Sequence, residues 1–151
     1  MTARTRNTII IAVAVVVVGV LFVFGVMVGA AVVGYRAATR SGNEAATLQN
    51  LRTIGAFEVQ YFNTHNRTFG TFEQLISESG LSPKFAGKPP MADGYEFTLS
   101  VAPAPDGSSS FKINANPLDP NTGTNHFYLD SDDQRIHVNA ERQAGPSDPS
   151  N

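Results

Sequence analysis

The side chains best suited to chemistry in this chain of 151 residues are the oxygen ligands of two late turns. The second turn holds Asp130, Asp132 and Asp133, and hard cations such as Ca²⁺ bind such sets of carboxylates. No Gly-x5-Glu follows them, as it does in an EF-hand. Acidic turns also arise when Asp and Asn side chains bind their own backbone. The sequence therefore leaves calcium as a candidate ligand at these three residues and indicates no other cofactor.

The remaining reactive side chains form no catalytic or zinc-binding pattern. His65, His126 and His137 have no second histidine or glutamate at the helical spacing that zinc sites use. The serines at 108–110 have no neighbouring base, and the sequence contains neither a nucleophile elbow nor a Gly-rich phosphate loop. The chain has no cysteine, so disulfides and thiolate sites are excluded. We therefore expect a protein that is not an enzyme.

Charge is distributed unevenly along the chain. The first forty residues contain four arginines and no acid, because the first acid is Glu44. The other 7 of the 11 basic residues lie beyond position 40 with all 13 acids, so this part carries a net charge of −6. An acidic domain is repelled by phosphate backbones, and nucleic acid is therefore not an expected partner.

An uncharged apolar run extends from Ile9 to Tyr35. As a helix it would be about 40 Å long at ~1.5 Å per residue, whereas the hydrocarbon core of a bilayer is ~30 Å thick. Arginines flank both ends, where their stems can reach the headgroups. The run therefore predicts an uncleaved transmembrane helix over residues 9–35. The alternative is a cleaved signal peptide with its cleavage site at 29–31, although the apolar part of such peptides is usually about 7–15 residues long.

The orientation of this helix is only weakly marked by charge, because two arginines lie on each side of the span. The positive-inside rule then favours neither side strongly. We expect a single-pass protein of the inner (cytoplasmic) membrane. Residues 1–8 would form a cytoplasmic tail, and the C-terminal domain would be periplasmic or extracellular.

Three glycines in the predicted span would let a second helix approach. Gly25 and Gly29 are four residues apart and share one helix face, and Gly34 lies on a nearby face. Missing side chains bring helix backbones close together. The expected partners are thus the membrane and another helix, either of a second copy or of a similar subunit. The alternative is that these glycines reflect only the frequency of glycine in transmembrane helices.

An amphipathic helix over residues 44–64 is predicted beyond a flexible hinge at 36–43. Apolar residues recur at spacings of mostly three to five positions from Leu48 to Phe62. Asn43 suits the N-cap of this helix, since its side chain can accept a bond from a free backbone amide.

Period-two alternation predicts three or four antiparallel strands after a short helix that begins at Thr71 and ends at Gly80. The predicted strands cover residues 95–101, 111–115, 126–129 and 135–138. A sheet with one apolar face needs a cover, and the helix at 44–64 is available. The predicted fold class is therefore α+β, with a globular domain over 44–139 and a disordered tail over 140–151.

Five segments of the predicted domain match, in order, segments of a known family. They are Leu51–Ile54 with Glu58–Tyr61, Phe69–Leu75, Gly94–Thr98, Ala115–Pro117 and Thr122–Asp130. In this order the chain resembles the type IV pilins and the pseudopilins of type II secretion. The resemblance implies a pilin-like fold and a structural subunit of a cell-envelope pilus or secretion assembly. It also implies packing against other pilin-like subunits, and some pseudopilins hold calcium in a comparable late loop.

The apolar helix departs from the family pattern. Family members carry a leader that is cut before a phenylalanine, followed by a helix glutamate that pairs with the neighbouring subunit's amino terminus. No acid occurs from Thr8 to Tyr35, and no Gly-Phe-Thr pattern precedes this stretch. The departure leaves an alternative function open, that of a stand-alone membrane-anchored binding or scaffold domain that no longer assembles.

Overall fold

The computed structural model describes residues 3–150, except for the side chains of residues 3–13, 30 and 31. The chain forms two compact units, Met1–Ala38 and Thr39–Asn151. Helix α1 (Ala3–Thr64) provides the described residues of the first unit. The second unit contains the C-terminal part of α1, a five-stranded antiparallel sheet and short helical turns. The predicted α+β class is confirmed.

Residues 36–43, predicted as a flexible hinge, are helical within α1. Asn43 therefore caps no helix, and its Nδ2 donates a hydrogen bond to the Thr122 carbonyl at 2.9 Å. No proline interrupts the segment, and Gly42 costs a helix only about 1 kcal/mol relative to alanine. Helix on both sides of the segment outweighs the helix-breaking tendency of Gly42, so α1 is not interrupted here. The division between the two compact units, at Ala38 and Thr39, nevertheless falls within the predicted hinge.

The sheet has the strand order β1-β2-β3-β4-β5, with antiparallel neighbours throughout. The strands are β1 (Met91–Ala92), β2 (Tyr95–Pro103), β3 (Ser109–Pro117), β4 (His126–Asp130) and β5 (His137–Asn139). Ile113 in β3 is paired with Leu99 on one side and with Leu129 on the other. The last four strands lie where the alternation of apolar residues predicted them.

Strand β1 is the one that the sequence did not predict. It lies in a proline-rich segment and pairs with the start of β2 through Asp93 and Gly94, whose φ angles are 53° and 77°. An Asp-Gly pair favours this left-handed backbone and is a strong signal for a two-residue hairpin. The prolines around it predicted a loop for the whole segment, so the sequence analysis did not identify strand β1.

The chain between α1 and the sheet forms three short helical pieces. They are α2 (Phe72–Gln74), a π-helical turn (Leu75–Ser79) and a 3-10 turn (Pro83–Phe85). The capping box predicted at Thr71 is present: its Oγ1 accepts a bond from the Gln74 amide at 3.3 Å, and its amide donates to Gln74 Oε1 at 2.9 Å. The left-handed Gly80, with φ of 83°, ends this helical segment as expected.

The hydrophobic core lies between the C-terminal part of α1 and one face of the sheet. Leu51, Ile54 and Tyr61 are buried on the helix, and they share one cluster with Phe97 and Ile113 of the sheet. The helix thus provides the apolar cover that the sheet was predicted to need.

The segment after β5, predicted to be disordered, packs on the domain as far as residue 150. Ala144 is buried, and its carbonyl accepts a bond from Asn114 Nδ2 at 3.0 Å. The Pro149 carbonyl accepts a bond from the Val138 amide at 2.9 Å. A polar composition predicted disorder because such a segment buries little apolar surface. Here hydrogen bonds hold the segment, and Asp148 accepts several of them.

Candidate functional site

The described apolar side chains of the first unit are exposed. Leu21, Phe22 and Met27 expose 66%, 72% and 66% of their surface. Soluble proteins rarely expose a contiguous apolar surface this large. The helix is long and apolar enough to cross a membrane. The side chains of residues 9–13 and the flanking arginines at 4 and 6 lie outside those described.

Gly25, Gly29 and Gly34 are open positions on this helix. At each of them a Cβ atom would meet nothing within 4 Å among the described residues, apart from neighbouring helix backbone. The spacing places Gly25 and Gly29 on one face. The structure therefore leaves room for a second helix along this face, and association through the glycines stays a prediction.

The three candidate calcium ligands lie at the end of β4 (Asp130) and in the turn that follows it (Asp132 and Asp133). Asp130 is buried, and its Oδ2 accepts a bond from the Tyr128 hydroxyl at 2.8 Å. Its Oδ1 accepts bonds from the amides of Asp132 and Asp133 at 3.0 and 3.3 Å. Asp133 Oδ1 accepts a bond from the Arg135 amide at 2.9 Å. No three Asp, Glu, His or Cys side chains among the described residues are arranged to hold a metal ion, and calcium stays only a candidate ligand of these three residues.

Each histidine ring has a polar partner within the domain. The partners are Glu78 Oε2 for His65, Asn116 Oδ1 for His126 and Asp133 Oδ2 for His137, at 3.0, 2.7 and 3.0 Å. Burial lowers the pKa of His126. A bond from the His137 ring to the Asp148 carbonyl raises the pKa of His137 despite its burial.

Glu44 fastens α1 to the loop before β4, a role that the sequence did not indicate. Its carboxylate accepts bonds from the Thr124 amide at 2.8 Å and from the Asn125 amide and Nδ2 at 3.3 and 2.8 Å. The Tyr95 hydroxyl donates to the Asn125 carbonyl at 2.9 Å and holds the same loop. Partners 80 and 81 positions away leave no local pattern from which this contact could be found.

Glu58 is a fully buried acid on the core face of α1. Its Oε2 accepts a bond from the Gly70 amide at 2.9 Å, while its Oε1 has no hydrogen-bond partner among the described atoms. Burial raises the pKa of Glu58 to about 7, against the opposing effect of the Gly70 amide. Burial, followed by the charges of Glu78 and Glu58, raises the pKa of Tyr61 on the same helix. Strongly perturbed buried acids are frequent at functional positions.

A groove of about 420 Å³ opens between α1 and the sheet. Its lining comprises Arg52, Gly55, Ala56 and Val59 of α1 with Phe111, Leu129, Gln134 and Ile136. Gly55 brings the helix close to the sheet here, since a Cβ at this position would lie 3.1 Å from Leu129 Cδ2. The groove is a largely apolar concave surface, and no polar side chains converge in it from the described residues other than Arg52 and Gln134.

Three carboxylates of the domain have a structural role, which is to bind loop backbone. Glu44, Glu58 and Asp130 each accept bonds from backbone amides of loops, and so they fix loop positions. Comparisons with protein-family models, with curated proteins and with solved structures found no match to this chain. A function for the chain must therefore follow from its own residues.

Proposed function

We propose that this protein is a membrane-anchored, pilin-like structural subunit of a cell-envelope pilus or secretion assembly. The observation that supports it most is the division of helix α1. Its N-terminal part exposes apolar side chains such as Phe22, and its C-terminal part buries Leu51 and Ile54 under an antiparallel sheet. Such a helix can both hold a domain at a membrane and pack against a neighbouring helix.

In this proposal residues 9–35 cross the inner (cytoplasmic) membrane once, and the domain is periplasmic or extracellular. Because the chain has no cysteine, single cysteines report its orientation cleanly. A membrane-impermeant maleimide added to intact cells, or to cells with a permeabilised outer membrane, should label Pro105→Cys in the exposed β2–β3 hairpin. It should leave Thr2→Cys unlabelled. The opposite pattern would reverse the proposed orientation.

Association through the apolar helix is tested by oxidative cross-linking in native membranes. Gly25→Cys and Gly29→Cys should form disulfide-linked dimers or mixed products. Met27→Cys is the matched control, because two residues along a helix place its side chain on the opposite face. Monomer alone at all three positions would contradict the assembly, whereas equal products at all three would contradict the glycine face.

A second candidate function is a stand-alone membrane-anchored binding or scaffold domain. It is favoured by the absence of any acid from Thr8 to Tyr35, because the family glutamate that joins neighbouring subunits has no counterpart there. N-terminal sequencing of the membrane-bound protein separates the two functions. An intact Met1 or Thr2 fits the stand-alone domain, and a processed, methylated N-terminus would rule it out.

A further inference from the structure

A strained loop at the C-terminal end of α1 covers the buried acid Glu58. The loop comprises residues 66–71, and we refer to it as the lid. Asn66 and Arg67 have φ angles of 51° and 62°, in the left-handed region that residues other than glycine rarely adopt. The first three lid residues are exposed, whereas Gly70 is buried against Tyr61 and Leu75.

One ionisable side chain contributes to the bonds that hold the lid from the core side. Glu58 Oε2 accepts the bond from the Gly70 amide at 2.9 Å. From β3, Ser109 Oγ accepts a bond from the Phe69 amide at 2.6 Å, and the Ser109 amide donates to the Arg67 carbonyl at 3.2 Å. The groups that form the Ser109 bonds do not ionise between about pH 4 and pH 8. The Glu58 carboxyl does, so the surroundings of its bond to the lid change with its protonation.

The surroundings of Glu58 favour its neutral form. None of the ion pairs among the described residues includes Glu58. The titratable and charged groups on the elements around it are Tyr61 of α1, His65 directly after this helix, Glu78 of the π-helical turn, and Arg67 of the lid with its partner Asp106. His65 stacks on Tyr61 at 3.7 Å and pairs with Glu78. An ionised Glu58 would therefore keep one amide bond and a bare Oε1 unless water entered.

We propose that residues 66–71 form a pH-gated lid, which is held closed most firmly while the Glu58 carboxyl is neutral and opens more readily once this carboxyl ionises and draws in water. An open lid uncovers Tyr61 and Leu75, against which Gly70 now packs. The domain would thus expose additional apolar surface at higher pH. This device is independent of the proposed assembly, because it uses residues of the second unit alone.

The pH range follows from the pKa of Glu58, which burial raises from 4.5 to about 7 in the closed domain. Below pH 4.5 the carboxyl is neutral whether the lid is open or closed, so pH has no effect. Between pH 4.5 and about pH 7 Glu58 readily loses its proton only while the lid is open and the carboxyl is hydrated. The ratio of open to closed lid, which is the opening constant, therefore rises about tenfold per pH unit. Above about pH 7 both forms are ionised and the rise levels off, after a total increase on the order of 100-fold.

Hydrogen exchange of the full chain in lipid nanodiscs, followed from pH 5 to pH 8 and corrected for intrinsic exchange, tests this lid. Lid amides of the wild type should gain on the order of 100-fold in opening constant, whereas Glu58→Gln should show no change with pH. Glu78→Gln is the matched control and should follow the wild type. Equal pH dependence in the wild type and in Glu58→Gln would overturn the proposal.

The wild type alone provides a second test that does not require a folded variant. Amides of β2 and β3, such as those of Phe97 and Ile113, should stay better protected than the lid amides at every pH, because they exchange only when the whole domain unfolds. Equal protection of lid and sheet amides at every pH would mean that the lid opens only by global unfolding, and would overturn the lid.

Discussion

Replacing Gly123 with alanine should destabilise the domain, because the Tyr95 side chain already fills the space beside its Cα atom. A Cβ at position 123 would overlap the Tyr95 hydroxyl and lie 2.6 Å from Cζ of the ring. Tyr95 is fully buried, and its hydroxyl donates to the Asn125 carbonyl at 2.9 Å. Because the ring is buried and its hydroxyl is bonded, either the ring must leave this position and lose that bond, or the loop before β4 must shift.

The magnitude of this loss can be worked out as a double-mutant cycle. Overpacking of this kind costs about 1–3 kcal/mol. Tyr95→Phe alone should cost about 1 kcal/mol, since it leaves the Asn125 carbonyl without its buried donor. In the double variant the missing hydroxyl relieves the closest overlap with the methyl group that Gly123→Ala introduces. The double variant should therefore lose less stability than the two single losses added together, with a coupling of about 1 kcal/mol or more.

Urea unfolding of the four proteins in one detergent, followed by near-UV circular dichroism, measures the cycle. Gly145→Ala is the matched control, because a Cβ there meets nothing within 4 Å among the described residues and the backbone is not left-handed. This control should change the free energy of unfolding little. If Gly123→Ala cost as little as the control, or if the two losses were additive to within about 0.5 kcal/mol, the described packing of this loop would be refuted.

Three further predictions concern acids of the domain. Glu58→Gln should raise the free energy of unfolding by about 3 kcal/mol at pH 8 and leave it unchanged near pH 4, because ionisation above pH 4.5 disfavours a folded state in which burial raises the pKa to about 7. Equal effects at both pH values in urea titrations would contradict this. Asp148→Asn should lower the Tm more at pH 7 than at pH 2, because hydrogen bonds, first that from Asn139, hold the pKa of Asp148 below 3.8. The stability it contributes is present above pH 3.8 and is lost as the pH falls through the lowered pKa; an unchanged Tm at pH 7 would argue against the packed C-terminal segment. Both oxygens of Asp130 accept hydrogen bonds, so millimolar Ca²⁺ should leave the Tm unchanged. A rise that Asp130→Ala and Asp132→Ala abolish would instead establish a calcium site.

Elements with a local signal were predictable from the sequence. Strands β2 and β3 alternate apolar and polar residues, and a two-faced strand with one buried face requires that alternation. The capping box at Thr71 and the left-handed Gly80 bracket the short helical segment as their residue types predict. In each case the hydrogen bonds or the periodicity involve residues only a few positions apart, so they can be recognised in a single sequence.

Contacts between distant residues were not predictable in the same way. Asn43 and Glu44 are good residues for a helix start, yet both bind the loop before β4, 79 to 81 positions away. The tail was expected to be disordered because its composition buries little apolar surface, but Asp148 gathers bonds from Asn139 and Gly145. The same polar residue types occur in helix caps, in solvated turns and in long-range hydrogen bonds. Which of these a given residue forms is known only once the fold is known.

The placement of ionisable groups separates the two parts of the chain in a way that bears on the proposed function. From Thr8 to Tyr35 the sequence holds no acidic, basic or histidine side chain, so association through Gly25 and Gly29 would depend on backbone approach and not on charge. The yield of the Gly29→Cys cross-link should then be the same at pH 5 and pH 8, once it is normalised to the thiol reactivity of the same cysteine, measured by maleimide labelling at each pH. A normalised yield that falls as the pH rises would point instead to the domain, where Glu58 titrates, as the part that controls association.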